Sequence, residues 1–319
     1  MTARIGTDIE EAARRLAAGE LVAIPTETVY GLAANALDER ACLAIFEAKR
    51  RPSFDPLIVH VRSAEAAEAL VRDVPEAARE LMAAFWPGPL TLVLPKRALV
   101  PDVVTSGLDT VALRSPAHPL TARLLERLPF PLAAPSANLF GRVSPTTAEH
   151  VVEQLGDALE YVLDGGPCEV GVESTILGWE AGRAVLYRPG GVPLEALEPF
   201  IGALAPAATR STPAAPGMLA AHYAPRTPLV VGAPEQLIAN APGERVAVLA
   251  FRTPRAAFAC RTLSISGDLR EAARNLFAAL RELDGCGADR IVAEPVPDHG
   301  LGRAINDRLR RAAAARESS

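Results

Sequence analysis

The sequence predicts an α/β (α+β) protein built from two layered domains. Apolar runs typical of strands alternate with amphipathic runs typical of helices. The alternation restarts after a stretch rich in Ala, Pro, Ser and Thr. At 319 residues the chain is also long for one compact domain. We therefore expect an α/β or α+β layered domain, followed by a smaller Rossmann-like parallel α/β domain.

The first domain is predicted over residues 1–195. Thr7 or Asp8 can cap a first helix that Gly19 closes, and the apolar run that follows starts a strand ending at Pro25. The later patterns alternate in the same way, with helices in ERACLAIFEAKR and AAEALVRDVPEAARELMAAF and strands in PLIVHV, LTLVLP, TVALRSP, PLAAPSAN, YVLDGG and STILGW.

A linker is predicted over residues 196–227 and the second domain over residues 228–319. The linker lacks sustained periodicity, whereas the residues after it return to strand and helix patterns. These patterns are LVVGA, RVAVLAF, RTLSIS and RIVAEPV for strands, and DLREAARNLFAALRELD and RAINDRLRRAAAAR for helices. Their order predicts a small parallel sheet.

Charge and cysteine content restrict the function classes. The net charge of −5 gives the whole molecule no general attraction for nucleic acid or an anionic membrane, so a polyanion site must be local. The four cysteines form no CxxC pair, which argues against a zinc knuckle or a disulfide framework and favours a reducing cytoplasm. No apolar run approaches the ~18 residues of a membrane span, and the N-terminus does not resemble a signal peptide.

Two basic residues are the first candidates for an anion site. No GxxxxGK[ST] phosphate loop occurs, so side chains would have to neutralise a bound triphosphate. Lys49 and Arg51 stand at the end of a helical pattern that Pro52 stops, and an irregular exit lets both point the same way. Solvated charges at a helix C-terminus remain the alternative interpretation.

Hydroxyl and amide groups form a second set of candidates. Ser136, Asn138 and Ser144 lie between prolines, where short polar side chains bind phosphate or ribose oxygens or only satisfy turns. Ser174 follows a glycine-rich stretch that a bulge or hairpin explains equally well. Both alternatives stay open from the residues alone.

Cationic side chains at strand ends complete the set. Arg114 and Arg188 each follow an apolar strand, and each should meet an anion because an unpaired buried charge costs several kcal/mol or more. His60 lies in an apolar strand, where a satisfied core histidine is the alternative to a ligand contact. The residues alone thus predict a basic, hydroxyl-rich site for an anionic ligand.

At these residues the chain resembles the YrdC-like L-threonylcarbamoyladenylate synthases, in their long form with an additional C-terminal domain. The resemblance covers nearly the whole chain and rests on many motifs in the same order. They are PTETVYGLAANA, FEAKRRP, PLIVHV, WPGPLTLVL, GLDTVALRSPAHP, APSANLFGRVSPT, DGG followed by GVESTI, RPGG, and the linker motif APGMLAAHYAP.

The resemblance implies that the first domain is a twisted, open, mixed sheet with helices around a concave cleft. It also implies a nucleotidyltransferase that converts L-threonine, bicarbonate and ATP into L-threonylcarbamoyl-AMP, pyrophosphate and water. It further implies that Mg²⁺ arrives with ATP rather than in a dedicated protein cage. The product feeds threonylcarbamoyladenosine formation in tRNAs reading codons that begin with A. Separate proteins make that transfer, so tRNA is contacted only indirectly.

Site residues follow from the family motifs, position by position. The catalytic tetrad is expected at Lys49, Arg51, Ser136 and Asn138. Threonine is expected to meet Thr28, His60, Arg114, Ala134 and Ser174. ATP is expected to meet Arg51, Asp55, Thr110, Ser136, Ser144, Arg188 and Tyr223, the last in a linker that folds over the active site.

Asp55 departs from the family, whose members often carry Asn or Ser at this position. A carboxylate beside phosphates would repel them unless it faces Mg²⁺, a ribose hydroxyl or a neighbouring arginine such as Arg50. Asp55 is therefore a possible ATP contact that needs a compensating partner.

Two other functions compete with synthesis. An RNA-binding translation or assembly factor would use a basic concave surface, but residues 1–195 hold 18 Lys and Arg against 26 Asp and Glu, a net charge of −8, and lack an RNP-like aromatic pattern. Carbamoyl transfer in hydrogenase maturation uses a similar adenylating domain. That larger enzyme carries zinc-finger modules, and this chain has no CxxC pair.

Overall fold

The computed structural model describes residues 3–202, 204–206, 215–216, 218–219 and 222–314. It divides into two compact units. The first comprises Met1–Phe140, Pro145–Glu169 and Glu173–Met218, and the second comprises Gly141–Ser144, Val170–Val172 and Leu219–Ser319.

The first unit contains a large sheet surrounded by helices. Its strands are β1 (Arg4–Gly6), β2 (Val22–Ile24), β3 (Gly31–Asn35), β4 (Ile58–His60), β5 (Leu90–Pro95), β6 (Thr110–Arg114), β7 (Leu132–Ala133), β8 (Tyr161–Leu163), β9 (Thr175–Glu180), β10 (Arg183–Arg188) and β11 (Ala205–Pro206). Its helices are α1 (Ile9–Ala17), α2 (Glu39–Lys49), α3 (Ala64–Glu68), α4 (Glu76–Phe85), α5 (Asp102–Thr105), α6 (Pro119–Arg127), α7 (Ala148–Leu155) and α8 (Leu194–Ile201).

The sheet is mixed, as predicted. Its described strands are ordered β1-β8-β2-β3-β7-β4-β6-β5-β9-β10-β11. Adjacent pairs β4/β6 and β5/β9 are parallel, whereas β5/β6 and β9/β10 are antiparallel. The C-terminal ends of β6 and β10 therefore lie at the same edge as the N-terminal ends of β5 and β9.

Local sequence explains the first two helices. Asp8 accepts hydrogen bonds from two backbone N–H groups of the first turn of α1, so Asp8 rather than Thr7 is the cap. Asp38 does the same for α2, which ends at Lys49 because Arg50 adopts a left-handed conformation with φ 52°. This turn buries Lys49 and Arg51 and leaves Arg50 exposed.

The periodicity missed strands β1, β3 and β11 of the first unit, and β3 shows the reason. The polar stretch after Pro25 was interpreted only as the exit of a strand, yet the chain returns at once as β3, antiparallel to β2. Thr26 stabilises the turn because its hydroxyl donates to Val29 O and accepts from the N–H groups of Thr28 and Val29. Polar residues here form a connection between two buried strands.

The second unit is a small parallel α/β fold, also as predicted. It contains β12 (Leu229–Val231), α9 (Pro234–Ala239), β13 (Val246–Ala250), β14 (Ala259–Thr262), α10 (Leu269–Asp284), β15 (Arg290–Ala293) and α11 (Gly302–Ala314). All pairings in the strand order β12-β15-β13-β14 are parallel. The strand predicted in RTLSIS begins and ends earlier, because its serines form the loop before α10, which Asp268 caps.

The predicted linker, 196–227, stays a prediction. Helix α8 covers its first residues, whereas 203, 207–214, 217 and 220–221 lie outside the described residues. No helix in the described part of the chain is long and apolar enough to cross a membrane.

Candidate active site

Two residues predicted to bind threonine, His60 and Arg114, share one face of the first-unit sheet. His60 and Arg114 end the parallel strands β4 and β6 and are direct register partners. Ile58 and Ala112, two residues earlier in each strand, belong to one buried cluster. Because side chains alternate between faces, His60 and Arg114 lie on the face of that cluster, and the larger core containing Val59 lies on the other.

Arg114 is held by three neighbours at this face. Its Nη1 donates to Thr28 Oγ1 at 2.9 Å, and its Nε donates to Gly88 O at 3.2 Å. Its Nη2 forms an ion pair with Glu27 Oε1 at 2.7 Å. Both partners of this ion pair are buried, so the position of the guanidinium is strongly determined.

Glu27 and Tyr30 have structural roles that the sequence left undefined. Glu27 supplies the negative charge that a buried Arg114 requires. The Tyr30 hydroxyl accepts from Gly165 N at 3.1 Å and donates to Gly166 O at 2.9 Å. Burial raises the pKa of Tyr30 above its ordinary value, so this side chain is a neutral support for the loop.

His60 is a buried, neutral imidazole. Burial, and then the charge of Arg114, lowers the pKa of His60 to about 3. Its Nδ1 is buried and has no hydrogen-bond partner among the described residues. A buried ring nitrogen of this kind is available to a polar group at this face of the sheet.

Ser174, which is predicted to bind threonine, contacts Arg188, which is predicted to bind ATP. Its hydroxyl lies 2.7 Å from Thr91 Oγ1 and accepts from Arg188 Nη2 at 3.2 Å. Its carbonyl accepts from Nε and Nη2 of Arg188, each at 3.1 Å. A Cβ at Gly190 would lie 2.3 Å from Glu173 O, so a glycine is needed beside this segment.

Lys49 contacts the segment that contains the other two residues of the predicted tetrad, Ser136 and Asn138. Its Nζ donates to the carbonyl oxygens of Ser136 and Asn138, 87 and 89 residues further along the chain. Lys49 and Asn138 are buried and Ser136 is half-buried. Ala134 lies just before them, with its N–H donating to Ile58 O at 2.9 Å.

Arg51 is fixed by the segment that follows it. Its Nε donates to Asp55 O at 2.9 Å and its Nη2 to Pro56 O at 2.7 Å. Nη2 also lies 2.8 Å from Asp55 Oδ2 in an ion pair. The arginine that compensates Asp55 is therefore Arg51, and the suggestion of Arg50 was wrong because the left-handed turn leaves Arg50 exposed.

We expect Asp55→Asn to lower the KM for ATP by about tenfold, corresponding to about 1.4 kcal/mol. The Asp55 carboxylate pairs with Arg51, so it would compete with a phosphate of ATP for this arginine and would repel that phosphate. Initial rates at varied ATP test this, with Asp102→Asn as control because Asp102 pairs with Lys96 while 82% exposed. A raised KM would instead indicate that Asp55 itself contacts ATP favourably.

The Lys49 ammonium predicts a pH dependence. Burial, and then the charge of Arg51, holds the pKa of Lys49 well below 10.5, with Asp55 acting in the opposite direction. The ammonium is thus present below this lowered pKa and lost as pH rises through it. We expect kcat/KM for ATP to fall on the alkaline side below pH 10.5.

Two lysine-to-arginine variants test whether Lys49 is the group whose titration causes the alkaline fall. Lys49→Arg should remove the alkaline fall from whatever activity remains, because arginine stays protonated. Lys96→Arg should retain it, because Lys96 pairs with Asp102 instead. An unchanged alkaline fall in Lys49→Arg would assign the titration to another group.

The other residues predicted to contact ATP are Thr110, Ser144 and Tyr223. Thr110 begins β6 and is half-buried. Ser144 and Tyr223 are grouped with the second unit. Arg281 Nη2 donates to Val143 O, next to Ser144, at 2.6 Å.

Tyr223 is buried in the second unit with a left-handed backbone, φ 64°. Its ring stacks on Phe277 with centroids 5.8 Å apart, and the Arg308 guanidinium lies 5.0 Å from the ring centroid. A left-handed backbone is uncommon for a residue other than glycine. The packing around the Tyr223 ring therefore holds this backbone conformation in place.

Sequence reasoning assigned no role to Glu27 and did not single out Thr91. The available signal for Thr91 was a lone hydroxyl in the apolar strand LTLVLP, on the same face as Val93 of the cluster with Ile58. For Glu27 the signal was a carboxylate between two threonines directly after a buried strand.

The chain belongs to the Sua5/YciO/YrdC family, in its form with a Sua5 C-terminal domain. The family model described as "Telomere recombination" matches residues 14–190. The model described as "Threonylcarbamoyl-AMP synthase, C-terminal domain" matches residues 192–314. Together they span both units.

Known proteins resemble the chain over nearly its whole length. It is 47% identical to the threonylcarbamoyl-AMP synthase of Pyrococcus abyssi, covering 97% of this chain and 96% of that protein. It is 44% identical to the threonylcarbamoyl-AMP synthase of Bacillus subtilis, covering 97% and 93%. The crystal structure of P. abyssi Sua5 complexed with L-threonine matches with a TM-score of 0.93 at 45% identity, covering 99% of this chain and 98% of that one.

Proposed function

We propose that this chain is a threonylcarbamoyl-AMP synthase, which converts L-threonine, bicarbonate and ATP into L-threonylcarbamoyl-AMP, pyrophosphate and water. The observation that carries the proposal is the polar sheet face on which Arg114, Thr28 and His60 converge. Relatives named for this activity match the chain along its whole length. P. abyssi Sua5, whose structure also matches the chain, has been crystallised with L-threonine.

Threonine is recognised first through its carboxylate. The guanidinium of Arg114 has five N–H groups, and the three described contacts leave others for a planar anion. His60 stays neutral because its pKa is lowered to about 3, so it adds hydrogen bonding without charge. Thr28, Ala134 and Ser174 complete the proposed threonine set.

The triphosphate is held by the cations of the tetrad. Lys49 and Arg51 are buried, and their hydrogen bonds to backbone carbonyls fix them before ATP arrives. Such preorganised donors stabilise charge that develops during transfer. The other proposed ATP contacts are Thr110, Ser136, Ser144, Arg188 and Tyr223, and Asp55 is proposed to lie beside the phosphates through its ion pair with Arg51. Asn138 completes the catalytic tetrad.

The reaction needs positioning more than covalent catalysis. The neutral amine of threonine attacks bicarbonate, forming N-carboxythreonine and releasing water. The new carboxylate attacks the α-phosphorus of ATP in line, and pyrophosphate leaves. Lys49 and Arg51 stabilise the phosphate charge in this step, while Arg114 keeps the amino acid in place.

Mg²⁺ is proposed to enter with ATP. The described residues offer no group of three or more His, Cys, Asp or Glu side chains that could hold a metal ion, and Asp55 is already paired with Arg51. An ion carried by the triphosphate, which keeps several waters, remains compatible with these residues.

The linker is proposed to cover the sheet face that carries His60 and Arg114. Ala215, from the predicted linker, is buried in the cluster that contains Ile58 and Ile176, and Met218 packs against it. These contacts lie within the first unit. They support the proposal that residues 196–227 fold over the active site.

Labelled bicarbonate provides the decisive test. Purified protein with ATP, radiolabelled bicarbonate and L-threonine should yield labelled threonylcarbamoyl-AMP and an equal amount of pyrophosphate. Equal use of serine or glycine would show that the assigned substrate is wrong. Salt-dependent binding of bare RNA without consumption of ATP or threonine would support the RNA-binding alternative, which no described contact favours.

The product defines the class of the next reaction. Its carbamoyl carbon is joined to AMP through a mixed anhydride, so the consumer is a carbamoyl transferase that releases AMP. We propose that separate tRNA-modifying proteins in the cytoplasm perform this transfer.

A further inference from the structure

We propose that Thr91 is a positioning residue that orients the Ser174 hydroxyl to donate to an oxygen of the substrate amino acid. This inference rests on the proposed function and extends it to a residue outside the predicted site. Thr91 lies on β5 and is completely buried. Its hydroxyl is 2.7 Å from that of Ser174.

The sheet places Thr91 between two residues of the proposed threonine set. Strand β5 is parallel to β9, with Leu90 opposite Thr175, the residue after Ser174. It is antiparallel to β6, with Leu92 opposite Leu113, the residue before Arg114. Thr91 is therefore flanked by Arg114 on one side and Ser174 on the other.

The direction of the Thr91–Ser174 hydrogen bond follows from the proposed ligand. Among the described residues, Ser174 Oγ is the one hydrogen-bond partner of the Thr91 hydroxyl, and either oxygen could be the donor. Either direction leaves one buried hydroxyl proton for a ligand, and Ser174 is the hydroxyl that belongs to the proposed threonine set. With threonine bound, donation from Thr91 to Ser174 and from Ser174 to the substrate gives both protons an acceptor, as buried polar groups require.

This direction determines what Ser174 can offer to a ligand. Its oxygen accepts from Thr91 and also from Arg188 Nη2 at 3.2 Å. These two bonds use both lone pairs of a hydroxyl oxygen, so only the proton of Ser174 remains. Ser174 can thus donate to a carboxylate oxygen, and it cannot accept from an ammonium group.

Removing the Thr91 hydroxyl without changing its shape tests the inference. In the full-length protein, Thr91→Val should raise the KM for threonine by about fivefold to tenfold, the effect of one buried hydrogen bond. The KM for ATP should stay within about twofold, and Thr91→Ser should behave like the wild type because it keeps the hydroxyl. Thr91→Ala is a second variant without the hydroxyl.

A double-mutant cycle separates positioning from a general structural effect. In a Ser174→Ala background, Thr91→Val should cause no further rise in the KM for threonine, because Thr91 acts through Ser174. An additive rise, an equal rise in both KM values, or an unchanged KM for threonine in Thr91→Val would overturn the inference. Failure of the wild type to form threonylcarbamoyl-AMP would instead overturn the proposed function.

Discussion

Arg51→Lys should lower the rate of threonylcarbamoyl-AMP synthesis by about 100-fold or more, the usual effect of removing one preorganised donor to a charged transition state. The Arg51 guanidinium is held by Asp55 O, Pro56 O and the Asp55 carboxylate. A lysine ammonium cannot reproduce this planar set of contacts. Release of pyrophosphate at saturating substrates measures the effect.

Arg50 provides the matched control for this experiment. It precedes Arg51, carries the same charge and is exposed, so Arg50→Lys should retain the wild-type rate within about twofold, as surface substitutions usually do. Comparable losses in both variants would mean that the segment contributes only general positive charge. A wild-type rate in Arg51→Lys would exclude Arg51 from the catalytic tetrad.

Arg114→Lys should raise the KM for threonine by about 100-fold, because truncating one partner of a buried charge pair costs about 2–5 kcal/mol. Lysine has one nitrogen where Arg114 uses three, and Glu27 would lose its guanidinium partner inside the protein. The KM for ATP should change far less. Calorimetric titration with L-threonine provides a direct measure of binding.

Arg127→Lys is the control for the same substitution at the surface. Arg127 is 58% exposed and pairs with Glu10 at 3.2 Å, and exposed ion pairs contribute little to stability. Its KM for threonine and its unfolding temperature should match those of the wild type. If Arg114→Lys lowered the unfolding temperature and left threonine binding intact, Arg114 would be a structural residue only.

The predictable parts of the fold are those with local causes. Helix α1 follows from its cap at Asp8, and the buried strands β5 and β13 follow from continuous apolar runs. Strand β3 was missed because its polar lead-in, Thr26 to Val29, is stabilised by a turn that apolar periodicity does not detect. Helices α6 and α7 were likewise not predicted.

The sequence by itself determined the fold class, the capped helices, the family resemblance and the candidate site residues, because periodicity, caps and ordered motifs are local. Only the tertiary structure decided which groups pair. Arg114 and Thr28 are 86 residues apart and Ser174 and Thr91 are 83 apart, so no local pattern joins them. Burial makes each polar group require a partner, and the sheet register determines which partner is within reach.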